Sequence, residues 1–283
     1  MKQLASLTRR DFLACAMAAM GTAALAGCGS ASSSTGTSTS ASTTSASQDT
    51  YTLAKDGQLT IASDLANPPL DYTDTSTNEP AGFEVELMQA IGEKLGLTSV
   101  YLSPVKFDTI IPTIKQGGTA DVGVSNFTIT DERKQEIDFT DPYLDSNQAI
   151  VVSKAATATT KDELDVAGKQ ICAQSGTTGG DWAQENLTKA TYVPLDDFVQ
   201  CFTGVSTGLY DAAVCDLPVS ENMITNSYTD LQISQQIATG KQYGIAVSKD
   251  NPNLTKALNE ALAAIKDDGT LDNLEITWFG TTI

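Results

Sequence analysis

Apolar and polar positions over residues 58–125 alternate between two repeating patterns. Three segments show the two-residue alternation or the short apolar run of a β-strand, namely 58–64, 99–105 and 120–125. Two intervening segments, 83–97 and 107–118, repeat apolar residues every three or four positions. This spacing predicts helices. The helix over 83–97 is predicted to end near Gly96. This order predicts an α/β lobe with a largely parallel sheet.

The same patterns return in the second half of the chain. Strands are predicted at 147–154, 169–175, 190–195, 211–216 and 241–249. Helices are predicted at 178–187, 196–208 and 218–225, and a last helical region at 251–280. One stripe of that last region is apolar, with Leu254, Leu258, Leu262 and Ile265. The pattern predicts a second α/β lobe and a terminal segment, Trp278–Phe279, that packs on the first lobe.

Two predicted strands, near 150 and 245, would then connect the lobes. The first lobe would comprise 50–148 plus 246–283, and the second 149–245. A double crossing of this kind makes a hinge, and a ligand is expected in the cleft between the lobes.

The N-terminal segment has the pattern of an export signal. Residues 1–27 combine a positively charged start with an uncharged apolar or small run at 12–27. That run is shorter than the ~20 residues of a membrane-spanning helix. The sequence LAGC at 25–28 resembles a lipobox with Cys28 as the acylated residue, and Arg9-Arg10 resembles a twin-arginine signal. General secretion and twin-arginine export both remain open, and a plain secretory signal is the alternative to lipidation.

Residues 28–49 predict a flexible tether, because 29–48 contain only Gly, Ser, Ala, Thr and Gln. Beyond residue 27, 14 basic and 34 acidic residues remain. This balance makes nucleic acid and anionic lipid poor partners. The chain contains no histidine and no CxxC motif, so neither a metal nor another cofactor is expected.

Long stretches of the chain resemble the polar amino-acid class (family 3) of the type II solute-binding proteins that feed ABC importers. The most specific block is FDTIIPTIKQGGTADVGVSNFTITDERKQEIDFTDPY at 107–143. Further matching segments are AGFEVELMQAIGEKLGL at 81–97, SGTTGG at 175–180, YDAAVCD at 210–216 and the segment 243–280. The resemblance implies two Rossmann-like α/β lobes joined by a two-strand hinge, with an amino acid bound in the cleft between them.

Arg133 is the central predicted ligand-binding residue. It is the only arginine beyond residue 27, beside thirteen lysines. A planar guanidinium can bind a carboxylate through two parallel hydrogen bonds, whereas lysine offers a point charge. The resemblance places Arg133 on the α-carboxylate of the ligand. The alternative is a solvated arginine on a helix surface.

The resemblance also assigns roles to residues on both lobes. Asn126 would contribute mainly its backbone, and Thr128 its hydroxyl, although Asp131 three residues later also allows a capping box at Thr128. Thr177 and Thr178 open a predicted helix whose free N–H groups suit an anion, and Thr178 would meet the α-carboxylate. Asp216 would bind the α-ammonium. The alternative for Thr177, Thr178 and Asp216 is helix capping.

Three further residues belong to the predicted pocket. Asp64 would meet the ammonium or a polar side chain, and Phe107 would pack on the aliphatic part of the ligand. Many relatives have an aromatic residue where this chain has Asn67. This departure weighs against an aromatic sandwich of the ligand side chain, and with it against a cationic guanidinium ligand. A purely structural role is the alternative for Asp64 and Phe107.

Three cysteines lie in the predicted lobes. The resemblance suggests a disulfide between Cys172 and Cys201, which the chain-entropy model values at roughly 3 kcal/mol. Two buried thiols are the alternative. Cys215 is predicted to be a free core cysteine.

The sequence therefore predicts a monomeric, lipid-anchored receptor on the outer face of a bacterial cytoplasmic membrane. The resemblance implies that it binds a polar amino acid and delivers it to an ABC permease with its ATPase, without catalysing a reaction. Two alternatives are a dehydratase on the same fold and a tethered amino-acid sensor or adhesin without transport. Which amino acid binds stays open, because the predicted contacts recognise only the amino-acid backbone.

Overall fold

The computed structural model describes residues 50–282, so the predicted signal segment, Cys28 and the predicted tether lie outside the described residues. Two five-stranded sheets organise this part of the chain. The first sheet has the order β5-β1-β6-β15-β7, with strands β1 (Gln58–Ala62), β5 (Thr98–Tyr101), β6 (Val122–Gly123), β7 (Asp138–Phe139) and β15 (Ala246–Val247).

The second sheet repeats the plan of the first. Its order is β11-β10-β12-β9-β13, with strands β9 (Gln148–Ser153), β10 (Gln170–Gln174), β11 (Thr191–Leu195), β12 (Ala212–Asp216) and β13 (Leu231–Ile237). In each sheet four strands run in the same direction, and one strand, β15 or β9, runs antiparallel to both of its neighbours. The predicted pair of similar α/β lobes is confirmed.

Helices flank both sheets. Those described are α1 (Phe83–Leu95), α2 (Phe107–Gln116), α3 (Asp131–Glu136), α4 (Lys161–Leu164), α5 (Thr178–Asn186), α6 (Phe198–Ser206), α7 (Leu217–Asn226), α8 (Pro252–Asp267) and α9 (Thr270–Phe279). Helix α1 ends at Gly96 in the left-handed conformation, as predicted. Within residues 50–282, no helix has the length and apolar character needed to cross a membrane.

Two small sheets complete the fold. Strands β8 (Leu144–Asp145) and β14 (Gln242–Tyr243) pair antiparallel where the chain passes between the two large sheets. Strands β2 (Ala66–Asn67), β3 (Asp71–Thr73) and β4 (Pro80–Ala81) form an antiparallel ribbon after β1. The single strand predicted at 241–249 is wrong in detail, because β14 and β15 divide that segment and join different sheets.

The C-terminal helices pack against α1, as the apolar stripe predicts. Leu254, Leu258, Leu262 and Ile265 are all buried. The Phe279 ring lies 5.1 Å from that of Phe83. The predicted packing of the terminal segment on the first lobe is therefore confirmed.

Candidate functional site

The predicted binding residues gather where the parallel strands of both sheets end. Asp64 and Asn67 follow β1, and Asn126 and Thr128 follow β6. Thr177 and Thr178 follow β10, and Asp216 ends β12. In open α/β sheets, ligands bind outside the carboxyl ends of the strands. The fold therefore brings residues far apart in the chain into one region between the lobes.

Arg133 reaches from the first lobe to the second. Its Nη1 donates to the Thr128 carbonyl at 2.8 Å, and its Nη2 donates to the Gly176 carbonyl at 3.0 Å. The guanidinium carbon lies 5.5 Å from the Phe107 ring centre and 5.3 Å from that of Phe127. Burial lowers the pKa of Arg133, but a guanidinium stays protonated in proteins.

The short helix that carries Arg133 begins at an unpredicted cap. Thr130 is the N-cap of α3, and its side chain accepts from the Arg133 N–H at 3.1 Å. A capping box at Thr128 is therefore wrong. The Thr128 hydroxyl instead bonds with Ser146 at 2.7 Å and lies 3.3 Å from the Thr178 hydroxyl.

The adjacent residues Thr177 and Thr178, at the start of α5, make different contacts. Thr177 is the N-cap, and its Oγ1 accepts from the Gly180 N–H at 3.2 Å. Thr178 is the first residue of the helix and contacts Thr128 of the other lobe. Gln148 Nε2 donates to the Thr178 hydroxyl at 3.2 Å. Thr178 thus faces the cleft, whereas the Thr177 side chain caps the helix.

Asp216 lies at the end of β12, in the second lobe, and is 4% exposed. Asn126 Nδ2, from the first lobe, and Gln148 Nε2 both donate short hydrogen bonds to its carboxylate. Burial raises the pKa of Asp216, and the Arg133 charge lowers it. Asp216 occupies the N-cap position of α7 without a side-chain capping bond.

Asp64 belongs to a cluster of buried polar groups. Asn67 Nδ2 donates to Asp64 Oδ1 at 2.6 Å and to Asp71 Oδ1 at 3.0 Å. The Ser125 hydroxyl lies within 3.0 Å of both carboxylates. From the second lobe, Gln174 Nε2 donates to Asp64 Oδ2 at 2.7 Å. Burial raises the pKa of Asp64, and burial with repulsion from Glu84 and Asp64 holds that of Asp71 well above its usual range.

Glu84, on α1, is a buried carboxylate that holds the loop after β6. Both of its oxygens lie 3.0 Å from the Asn126 N–H, and Tyr143 Oη donates to it at 2.5 Å. Burial raises the pKa of Glu84 to about 7, and the bonds from Tyr143 and Asn126 oppose this. Asn126 has a φ of 42°, which is uncommon for a residue other than glycine. Glu84 therefore fixes a strained residue whose side chain contacts Asp216.

Phe107 is buried at the start of α2 and stacks on Phe127, with ring centres 4.6 Å apart. The two rings face the Arg133 guanidinium. Such contacts are worth roughly 0.5–2 kcal/mol each. In this structure Phe107 therefore supports Arg133 directly.

A cavity of about 1050 Å³ opens between the lobes. Arg133, Gln148 and Thr178 line it, together with Gly176 and Asp181. Asp64, Asn67, Asn126 and Asp216 are not part of its lining. These four residues are instead linked to their neighbours by hydrogen bonds and do not surround the cavity.

Several residues of this region escaped the sequence reasoning. They are Ser125, Phe127, Ser146, Gln148, Gln174, Asp71 and Glu84. Gln148 and Gln174 lie beside apolar residues in strands, a pattern that does not distinguish a site residue. Glu84 does carry a signal, because a carboxylate on the buried, apolar face of α1 indicates a special role.

The lobe cysteines are buried free thiols in the structure, so the suggested Cys172–Cys201 disulfide is not formed in it. The Cys172 Sγ instead lies 3.7 Å from the Cys201 carbonyl oxygen. Cys215 is buried and free, as predicted.

Comparisons with known proteins agree with this architecture. Residues 59–281 match the model of the bacterial extracellular solute-binding proteins, family 3. The L-cystine-binding protein TcyJ of Escherichia coli K12 is 29% identical over 80% of this chain and 84% of its own. The ABC transporter arginine-binding protein 1 of the same organism is 33% identical over 75% and 86%.

A similar solved structure is an ancestral arginine-binding protein bound to glutamine, with a TM-score of 0.74 and 33% identity. The match covers 80% of this chain and 99% of the ancestral protein. With nearly the whole described part matched by the family model, the chain belongs to the bacterial extracellular solute-binding proteins of family 3.

Proposed function

We propose that the protein captures a polar amino acid between its two lobes and delivers it to an ABC importer. The observation that carries this proposal is the Arg133 guanidinium, which spans from Thr128 to Gly176 of the other lobe. Its two donors now bond backbone carbonyls, and a ligand carboxylate would offer better acceptors. Thr178, whose hydroxyl lies close to Thr128, would add a donor from the second lobe.

The α-ammonium of the amino acid would bind Asp216. A buried zwitterion needs a partner for each of its charges. Asp216 is a buried carboxylate, and Gln148 donates to both Asp216 and Thr178. The site would also be shaped by Asn126 and Thr128, and by Thr177 as the N-cap of α5. Asp64, Asn67 and Phe107 would form the side-chain end of the pocket.

These contacts with the ligand would form when the two lobes close about the hinge. We assign 50–148 with 246–283 to the first lobe and 149–245 to the second. The pairing of β8 with β14 at the crossing supports a two-strand hinge. Cross-lobe bonds from Asn126 to Asp216 and from Gln174 to Asp64 are of the kind that closure would form.

Export and anchoring complete the proposal. Residues 1–27 would be removed, Cys28 would carry lipid, and residues 28–49 would tether the lobes to the outer face of the membrane. A tether of about twenty residues spans roughly 25 Å, which would keep a monomeric receptor close to its permease and ATPase.

Calorimetry of the purified protein, washed free of co-purified solute, against the twenty amino acids and cystine tests the function. At least one amino acid should bind, and Arg133→Lys should weaken it at least tenfold, because lysine cannot make two parallel hydrogen bonds. The matched control is Lys134→Arg, the exposed neighbour on the same helix, which should leave the affinity unchanged. Unchanged affinity in Arg133→Lys would contradict the assignment.

Two other functions can be separated from transport. A dehydratase would turn over a cyclic dicarboxylate such as prephenate or arogenate, and we infer that no turnover will be seen. A sensor or adhesin would bind the amino acid equally well, but permease and ATPase genes would be missing beside its own.

A further inference from the structure

Tyr243 is a buried tyrosine on one of the two short strands at the crossing between the lobes. It belongs to β14, which pairs with β8 there. The side chain is 0% exposed, and its hydroxyl oxygen has no well-aligned hydrogen-bond partner among residues 50–282. Phenylalanine would fill the same space without burying a polar group, which is costly. The presence of the hydroxyl therefore needs an explanation other than packing.

The backbone of Tyr243 is bonded to the first lobe. Its carbonyl accepts from the Tyr143 N–H at 3.1 Å, and Thr128 pairs with it in an isolated antiparallel bridge. The next residue, Gly244, donates its N–H to the Phe127 carbonyl at 3.0 Å. Main-chain hydrogen bonds thus fix Tyr243 against the loop after β6, which carries part of the candidate site.

The hydroxyl of Tyr243 lies beside Asp216, at the end of β12 in the second lobe. Burial raises the pKa of Asp216, whereas neighbouring hydrogen-bond donors, among them the Tyr243 hydroxyl, lower it. Burial and the Asp216 charge hold the pKa of Tyr243 well above its usual range, so its hydroxyl keeps the proton and can donate. Asn126 and Gln148 already donate to the same carboxylate. A carboxylate accepts about four hydrogen bonds, which leaves room for Tyr243.

Tyr143 shows the same arrangement at the other crossing strand. It directly precedes β8, and its ring centre lies 6.4 Å from that of Tyr243. Its hydroxyl donates to Glu84 at 2.5 Å, and Glu84 accepts in turn from the Asn126 N–H. Each crossing strand therefore brings one tyrosine hydroxyl to one buried carboxylate, Glu84 in the first lobe and Asp216 in the second.

We propose that Tyr243 is a positioning residue for amino-acid binding, whose hydroxyl donates to the Asp216 carboxylate and holds it ionised and oriented towards the α-ammonium. This inference rests on the proposed function, in which Asp216 binds that ammonium. The contact does not yet have the alignment of a complete hydrogen bond, and a bound ammonium that orients the carboxylate would complete it. Because the Tyr243 backbone is bonded to the first lobe, the same contact connects Asp216 to the crossing strands.

Tyr243→Phe tests the proposal, because it keeps the ring and removes the hydroxyl. Calorimetry at pH 7 uses whichever of the twenty L-amino acids and L-cystine binds the unaltered full-length protein most tightly. Tyr243→Phe should bind this probe at least about tenfold more weakly, since hydrogen bonds to charged groups are among the strong ones. The matched control is Tyr228→Phe, whose hydroxyl bonds Thr203 at the surface of the second lobe at 2.8 Å. The control should bind like the unaltered protein.

The pH dependence of the affinity separates positioning from a loss of packing. Asp216 must be ionised to bind an ammonium, so the affinity should fall as the pH falls through its pKa. The Tyr243 hydroxyl lowers that pKa, so in Tyr243→Phe the fall should begin at a pH higher by about half a unit or more. Arg133 and Glu84 also interact with the Asp216 charge, but they are present in both proteins. Weaker binding without this shift would overturn the proposal.

A crystal structure of the unaltered protein with the bound probe gives a second test, which does not depend on the folding of Tyr243→Phe. The Tyr243 Oη should lie about 2.5–3.0 Å from an Asp216 carboxylate oxygen, the range of an O–H···O hydrogen bond. A separation beyond about 3.5 Å would overturn the proposal.

The two proposals fail in distinguishable ways. If no amino acid binds the unaltered protein, the proposed receptor function is wrong. If an amino acid binds, and Tyr243→Phe matches the unaltered protein within twofold across the pH range, only the role of Tyr243 is wrong.

Discussion

At the scale of single residues, the site depends on side chains with several simultaneous partners. Arg133 contacts both lobes, and Asn67 contacts two carboxylates. Backbone conformation also matters, because the ribbon that carries Asn67 and Asp71 packs closely on the start of α1. Gly82, just before α1, has a φ of 126°, and its neighbour in space is the Leu70 carbonyl.

Gly82→Ala should therefore strongly destabilise the protein. An added Cβ would lie 2.2 Å from the Leu70 oxygen, and the backbone conformation itself is costly for any other residue. We expect a loss of unfolding free energy at least about 2 kcal/mol larger than for Gly57→Ala, which also has a positive φ but open space around it. Urea denaturation of both variants measures this difference, and equal losses would show that the close approach is unimportant.

At the scale of elements, helices position the site from outside the cleft. Helix α1 carries Glu84 towards the loop after β6, and α8 and α9 cover its other face. The Glu84 carboxylate can hold Asn126 only if α1 keeps its place. The packing of α8 thus supports the candidate site through α1.

Leu258→Ala on α8 should lower the unfolding free energy by about 2–5 kcal/mol, because it opens a cavity in a fully buried stripe. The matched control is Leu209→Ala, at a leucine that is 62% exposed, where the change should stay within about 0.5 kcal/mol. Chemical denaturation monitored by fluorescence or circular dichroism provides both values. A similar loss at the two positions would refute the predicted burial of the stripe.

At the scale of the whole molecule, buried polar groups join the two lobes, beside an apolar cluster that contains buried residues of both. Asn126 with Asp216, and Gln174 with Asp64, join the lobes inside, whereas Lys106 and Asp196 pair at an exposed edge. Exposed pairs contribute little. The buried carboxylates therefore dominate the electrostatics of closure, and they link it to pH.

Stability of the ligand-free protein should decrease as pH rises from 5 to 7.5. Burial raises the pKa of Glu84 from 4.5 to about 7, so over this range the folded state retains a proton that the unfolded state has released. The unfolding free energy contributed by Glu84 is present below about pH 4.5 and lost by pH 7. Raised pKa values at Asp64, Asp71 and Asp216 act in the same direction.

Thermal unfolding across this pH range measures the effect, and Glu84→Gln should flatten the profile because glutamine does not titrate. A midpoint that rises with pH, or an unchanged slope in Glu84→Gln, would contradict this reading of the cluster. Carboxylates with lowered pKa values, such as Asp268 at about 2, titrate below this range and do not interfere.

The sequence by itself determined the elements with strong periodicity and their order. Helix α1, the stripe on α8 and the strands β1 and β12 follow from local spacing, because apolar residues at fixed intervals must face a common core. Helix α3 and strand β13 were missed, since their residues are largely polar. Helix α3 begins at the Thr130 cap, and β13 forms by pairing with β9 along the edge of the second sheet.

Only the tertiary structure decided which polar residues share the site. Asp64 and Gln174 are 110 positions apart, and Asn126 and Asp216 are 90 apart, yet each pair is hydrogen-bonded. No local pattern encodes such contacts, because the crossing of the chain between the two sheets creates them. Burial of Asp71 and Glu84 beside these pairs likewise depends on how α1 and the ribbon pack. The contacts of the candidate site are therefore a property of the assembled chain, whereas the lobes themselves can be predicted from periodicity.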